Sequence, residues 1–169
     1  MRNSIRKLTY SAVLAAVVFL VTFLTRIPVP FPGTSSAYIH LGDTVIFITA
    51  YLLGGPIAAA VAAVGSGLAD LAAGAVIYIP ATFVIKGLMG LCAGALMRVR
   101  GMAFYALAAV AGGAIMTAGY FLYELLLFGF AYAVPALPYN LIQWGGSLVI
   151  ALALFPALRR VYPLLWREK

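Results

Sequence analysis

An all-α membrane protein, a bundle of six transmembrane helices with both chain ends on the cytoplasmic side, is the fold this sequence predicts. Three observations predict it. Of its 169 residues, 65% are hydrophobic and only 9% charged, with a mean hydropathy of +1.09, whereas a soluble domain carries roughly 25% charged residues. The apolar residues come in long runs rather than stripes, so lipid is the solvent for most of the surface, and runs without alternation exclude a β-barrel. The basic residues gather at the chain ends and in one short loop, a topology signal and not a nucleic-acid footprint.

Each element follows in order. Helix one spans Leu8 to Thr25, between Arg6-Lys7 and Arg26. Its basic start would suit a signal peptide, but the apolar run has full span length and no small-residue cleavage site follows, so an uncleaved helix is expected. Ile27 to His40 holds three prolines and a glycine, which predicts a structured outer loop capping the bundle. Helix two, Leu41 to Leu53, is short for a ~30 Å hydrocarbon core and must tilt or tuck behind its neighbours. Gly54-Gly55-Pro56 ends it. Helix three covers Ile57 to Ala73 and helix four Ile79 to Met97. Arg98 and Arg100 mark a loop, helix five covers Met102 to Phe128, and Val134-Pro135-Ala136-Leu137-Pro138 reads as the last loop before helix six, Tyr139 to Leu158, and a basic tail. Residues 1–169 form one transmembrane domain on this reading.

With six spans, both termini share a side with the loops after helices two and four. That side holds Arg2, Arg6, Lys7, Arg98, Arg100, Arg159, Arg160, Arg167 and Lys169, against Arg26 alone on the other. The basic side is cytoplasmic.

This topology sorts the polar residues by depth. Asp43 starts helix two, Asp70 ends helix three and Glu124 nears the end of helix five, all towards the outside. Asn140 and Gln143 open helix six, His40 closes the outer loop, and Lys86 lies seven residues into helix four, ~10 Å down at 1.5 Å per residue. The inner half is nearly all apolar. A relay would need polar groups at several depths, so this pattern predicts one pocket open to the outside.

A charge within a span costs at least ~2.5–3.5 kcal/mol, so it marks a site, a pathway or a pair. Lys86 has two readings: an ion pair with Asp70 or Glu124 that ties helices together, or, with those acids, Asn140 and Gln143, the polar edge of a ligand site. Asp43 follows Gly42 at a helix start, where N-capping competes with ligand contact. Tyr38, Tyr78, Tyr120, Tyr123, Tyr132, Tyr139 and Trp144 gather at the outer side, as an interfacial belt or as walls for a flat ring. Tyr120 shares a helix face with Glu124 and is the stronger candidate for the pocket, with Tyr78 or Trp144 as further cover. His40 has no partner at ligand spacing, so no metal site is expected, and Cys92 reads as a packing residue. Small residues recur at four-residue spacing, as in Gly90 and Gly94, which lets helix backbones approach. Ala12 and Ala16 stand apart because they lie in the inner half of helix one, where a second membrane protein could dock. No Walker loop, GxSxG or HExxH occurs, so neither ATP hydrolysis nor catalysis is expected. No half-to-half repeat is visible, against an inverted-repeat transporter. A stand-alone secondary transporter using Asp70 or Glu124 as a proton site remains the alternative.

The segments Leu41-Gly42-Asp43-Thr44-Val45-Ile46-Phe47, Leu53-Gly54-Gly55-Pro56, Gly65-Ser66-Gly67-Leu68-Ala69-Asp70 and Tyr78 through Leu88 resemble the substrate-binding S components of energy-coupling factor (ECF) vitamin transporters. The likeness is to the branch with riboflavin-, hydroxymethylpyrimidine- and pyridoxine-type members. Tyr139-Asn140-Leu141-Ile142-Gln143 resembles the start of that family's last helix. The resemblance implies a six-helix prokaryotic plasma-membrane protein that holds a vitamin or precursor at its outer face without any cofactor. It also implies that Ala12 and Ala16 touch a transmembrane coupling subunit driven by two ATPase subunits, and that the protein topples in the bilayer to deliver its ligand. Lys86, Glu124, Asn140, Gln143, Tyr120, Asp70, Tyr78, His40 and Trp144 are the expected binding residues.

Overall fold

A computed structural model describes residues 2–29 and 37–165. Among them are six helices: α1 (Arg2–Leu24), α2 (Gly42–Leu53), α3 (Gly55–Ala72), α4 (Ile79–Leu96), α5 (Met102–Phe128) and α6 (Phe130–Leu165). All but α2 are long and apolar enough to cross a membrane. Two short antiparallel strands, β1 (Ile27–Pro28) and β2 (Tyr38–Ile39), join α1 to α2, pairing Ile27 with Ile39 and Pro28 with Tyr38. The centre of the expected outer loop, 30–36, and Arg167 and Lys169 of the basic tail lie outside the described residues.

The 12-residue α2 lies inside the bundle, packed against α1, α3, α4 and α6, with ten of its residues buried. A helix of this length rises only ~18 Å, too little for the hydrocarbon core. It needs no more, because protein and not lipid surrounds its ends. Ile46 and Phe47 are fully enclosed there, beside Met89 of α4 and Met116 of α5. Helix α3 meets α4 so closely that a methyl added at Gly94 would overlap the backbone of Gly55, the close approach that small-residue spacing provides.

The last inter-helix loop is not where the prolines suggested. Helix α5 ends at Phe128, the chain turns on Gly129 (φ 79°), and α6 begins at once with Pro135 and Pro138 inside it. Proline's fixed φ is compatible with a helix, and each ring costs the ladder one backbone bond. Both rings face outward, while Tyr132, Ala133, Ala136 and Gln143 carry the buried stripe into the bundle. Helix α6 likewise continues past Leu158, and α1 begins at Arg2 rather than Leu8.

Helices α2, α4 and α6 start at the end of the bundle where α1, α3 and α5 finish. Asp43, Asp70, Glu124, Asn140, Gln143 and the tyrosines at 38, 78, 120, 123, 132 and 139 lie towards that end, whereas Tyr51 and Tyr105 pack together at the other.

Candidate functional site

Helical spacing builds the site. On α4 and the 3-10 turn before it (Val76–Tyr78), Tyr78, Thr82 and Lys86 recur every fourth residue and share one face. Tyr120 and Glu124 do the same on α5, and Ala136, Tyr139, Asn140 and Gln143 on α6. All of these but Lys86, with Asp70 of α3 and Tyr38, Ile39 and His40 of the β2 segment, line a cavity. Its empty space, open mouth included, is about 510 Å³. Seven of the nine expected site residues line it: His40, Asp70, Tyr78, Tyr120, Glu124, Asn140 and Gln143.

Lys86 and Trp144 do not. Trp144 packs into the space left by Gly113, and its indole N–H donates to the carbonyl of Ala109 at 3.3 Å. Lys86 is wholly buried behind the wall, and its partner is neither Asp70 nor Glu124 but Asp43, with Nζ 2.5 Å from Oδ1. The geometry explains the exchange. Side chains on a helix tilt towards its N-terminus, and α2 and α4 both start at the cavity end. The long lysine stem climbs back by about a turn and meets Asp43, whereas Glu124 sits on a helix running the other way. Asp43 is no N-cap: Leu41 holds that position and no side chain caps it.

Two polar chains follow from this pair. Asp43 Oδ2 accepts from Gln143 Nε2 at 2.9 Å, and Gln143 Oε1 accepts from the His40 backbone N–H at 3.2 Å. Lys86 Nζ also stands 5.5 Å from the ring centre of Tyr120, whose hydroxyl shares a 2.8 Å hydrogen bond with Thr82. On the far wall the Tyr38 hydroxyl donates to Asp70 Oδ1. Burial and the adjacent carboxylate push that phenol far above its ordinary pKa, so it stays a donor. The Tyr78 hydroxyl reaches Glu124 Oε1 at 3.4 Å and Tyr132 at 3.2 Å.

Three polar atoms of this wall are buried and have no protein partner: Asp70 Oδ2, Glu124 Oε2 and Asn140 Nδ2. Buried polar groups are nearly always hydrogen-bonded, so two acceptors and one donor stand ready for a guest. Among the described residues the lining contains no lysine or arginine. No group of three His, Cys, Asp or Glu among them could hold a metal ion.

Thr82 was not expected as part of the site, while Tyr38 was read only as an interfacial-belt or ring-wall residue and Asp43 as an N-cap or a ligand contact. The four-residue spacing from Tyr78 to Thr82 to Lys86 was a readable signal for Thr82. The partner of Tyr38 was not readable, because it depends on the strand pairing that aims the side chain at Asp70 of α3.

His40 stays neutral: burial, then the Lys86 ammonium, push its imidazole from 6.5 down to about 3, and Nδ1 accepts from the Gly42 N–H at 3.0 Å. Between those values the unfolded chain binds the proton and the folded one does not, so stability is full above about 6.5 and falls as pH drops towards 3. Acidification from pH 7.5 to 5 should cost about 1–2 kcal/mol at this residue. His40→Asn, whose side chain can accept the same bond but cannot titrate, should flatten the decline in thermal unfolding midpoint over that range.

Comparison with known proteins gives a consistent picture. Residues 2–160 match the family model described as ECF-type riboflavin transporter, S component. The chain is 31% identical over 158 residues to the thiamine precursor transporter HmpT of Lactococcus lactis subsp. cremoris (strain MG1363), covering 94% of this chain and 90% of the relative. It is 33% identical over 140 residues to an uncharacterized protein of Pyrococcus woesei, covering 79% of this chain and 88% of that one. Two solved structures share the fold at a TM-score of 0.69. One is the S component of a bacterial ECF transporter, at 20% identity over 99% of this chain and 100% of the other. The other is the S component for biotin from an ECF-type ABC transporter, at 17% identity over 98% of each.

Proposed function

Because this chain belongs to the ECF-type riboflavin transporter S component family, we propose that its cavity binds a small heterocyclic alcohol of the hydroxymethylpyrimidine class. S components are the substrate-specific binding subunits of ECF transporters for vitamins or their precursors, so this is a multi-pass membrane transport subunit and not an enzyme. What it binds, and how, is our reading.

One observation carries it: the unsatisfied Asp70 Oδ2, Glu124 Oε2 and Asn140 Nδ2 between tyrosine walls, in a lining without a cation. Two carboxylate oxygens call for donors on the ligand, as an exocyclic amine supplies. The amide donor calls for an acceptor, as a ring nitrogen or hydroxyl supplies. Tyr78 and Tyr120 cover the ring. The thiamine precursor relative supports this class. Asp70 and Glu124 share one cavity instead of standing at successive depths, which favours a binding site over the proton path of a stand-alone transporter.

The test is binding of hydroxymethylpyrimidine, its phosphate ester and riboflavin to the purified full chain in detergent. Hydroxymethylpyrimidine should bind. The ester should bind at least about tenfold more weakly, since two carboxylates and no cation face its charge. Riboflavin binding without hydroxymethylpyrimidine binding would move the reading to the larger ring, and binding of neither would sink it.

On the same reading the protein spans a prokaryotic plasma membrane six times, with both termini cytoplasmic and the cavity opening outward. Its partners are a transmembrane coupling subunit and two ATPase subunits. Ala12 and Ala16 lie exposed on the outward face of α1, where small side chains let a second helix approach. Ala12→Leu or Ala16→Leu should leave ligand binding intact and reduce co-purification with the coupling subunit. Unchanged assembly in both would remove them from the interface.

A further inference from the structure

We infer that Lys86 is a positioning residue: through Asp43 it dictates which way round the Gln143 amide sits, and so holds strand β2 as a wall of the cavity. The inference rests on the cavity being the ligand site only for its effect on binding, not for the mechanics.

The argument starts from what each group can offer. The His40 backbone N–H can only donate, and an ionised carboxylate can only accept. Gln143 stands between the two, and its amide satisfies both in one orientation alone: oxygen to His40 at 3.2 Å, nitrogen to Asp43 at 2.9 Å. The flipped amide would set donor against donor and oxygen against carboxylate. Asp43 enforces this choice only while it carries its charge. At 1% exposure it would not keep that charge without a counter-ion, and Lys86 supplies one at 2.5 Å. A neutral side chain at position 43 that can both donate and accept would tolerate either orientation. Lys86 therefore acts at two removes, from α4 through α2 and α6 onto β2, without lining the cavity itself.

The test is hydrogen–deuterium exchange of the full chain in detergent, read at residues 37–41, with hydroxymethylpyrimidine binding as a second arm. The double variant Lys86→Met/Asp43→Asn removes both charges together. In it only the His40 N–H still favours the observed amide orientation, so the His40 amide should exchange severalfold faster, up to the roughly tenfold that loss of one whole hydrogen bond gives, while α3 and α5 keep wild-type exchange. Gln143→Leu, which leaves the ion pair in place but deletes the acceptor, should loosen the same segment by the full roughly tenfold. Lys86→Arg, which keeps the charge, should restore slow exchange. Wild-type exchange at His40 in either Gln143→Leu or the double variant would overturn the inference. So would loosening or unfolding of the whole bundle in the double variant, because the pair would then be holding helices together and not orienting an amide. Hydroxymethylpyrimidine should bind about tenfold more weakly to the double variant. If the wild type does not bind that probe, the proposed function fails and the exchange result still decides this inference.

Discussion

Lys86→Met should lower the stability of this protein by about 3–5 kcal/mol, because it strands a charge that cannot reach water. Lys86 and Asp43 are 0% and 1% exposed and 2.5 Å apart. Removing the ammonium leaves the Asp43 carboxylate with a hydrogen bond from Gln143 and no counter-charge. Asp43→Asn should cost a similar amount by stranding the ammonium. The double variant should recover most of the loss, since replacing both members of a buried pair removes the desolvation penalty along with the attraction. Thermal or denaturant unfolding in detergent gives the comparison. A single Lys86→Met variant as stable as the wild type would show that the charges do not depend on each other. Recovered global stability in the double variant, together with a loosened β2, would separate the two effects of the pair.

The second large effect belongs to the two carboxylates of the cavity. Asp70→Asn with Glu124→Gln should weaken hydroxymethylpyrimidine binding by roughly 10²–10⁴, each charge-assisted bond contributing about 1.5–3 kcal/mol. The fold should survive. The asparagine keeps an oxygen for the Tyr38 hydroxyl, which donates to Asp70, and a glutamine at 124 keeps an acceptor for Tyr78. Titration calorimetry on the variant and the wild type measures the difference. Equal affinity would mean that the unsatisfied oxygens of Asp70 and Glu124 do not face the ligand.

Much of this architecture was legible in the sequence because a bilayer leaves few options. Long apolar runs must become helices, since unsatisfied backbone is too costly in lipid, and residues four apart must share a helix face. Those two rules place Tyr120 beside Glu124 and put the polar residues at one end of the bundle. Proline misled at the start of α6. Pro135 and Pro138 read as a loop in a linear pattern, yet a bundle tolerates them where their rings face outward and neighbouring helices hold the chain. The break fell instead on Gly129, where φ is 79°, a conformation glycine adopts at little cost.

The sequence by itself determined the solvent, the helices and the depth at which each charge lies. Composition and periodicity are local properties, and lipid reads them directly. Only the tertiary structure decided who meets whom: Lys86 with Asp43, Tyr38 with Asp70, Gln143 with the backbone of His40. Those partnerships depend on the rotation of each helix about its axis and on which helices run parallel. Packing sets both, and no single stretch of chain encodes them.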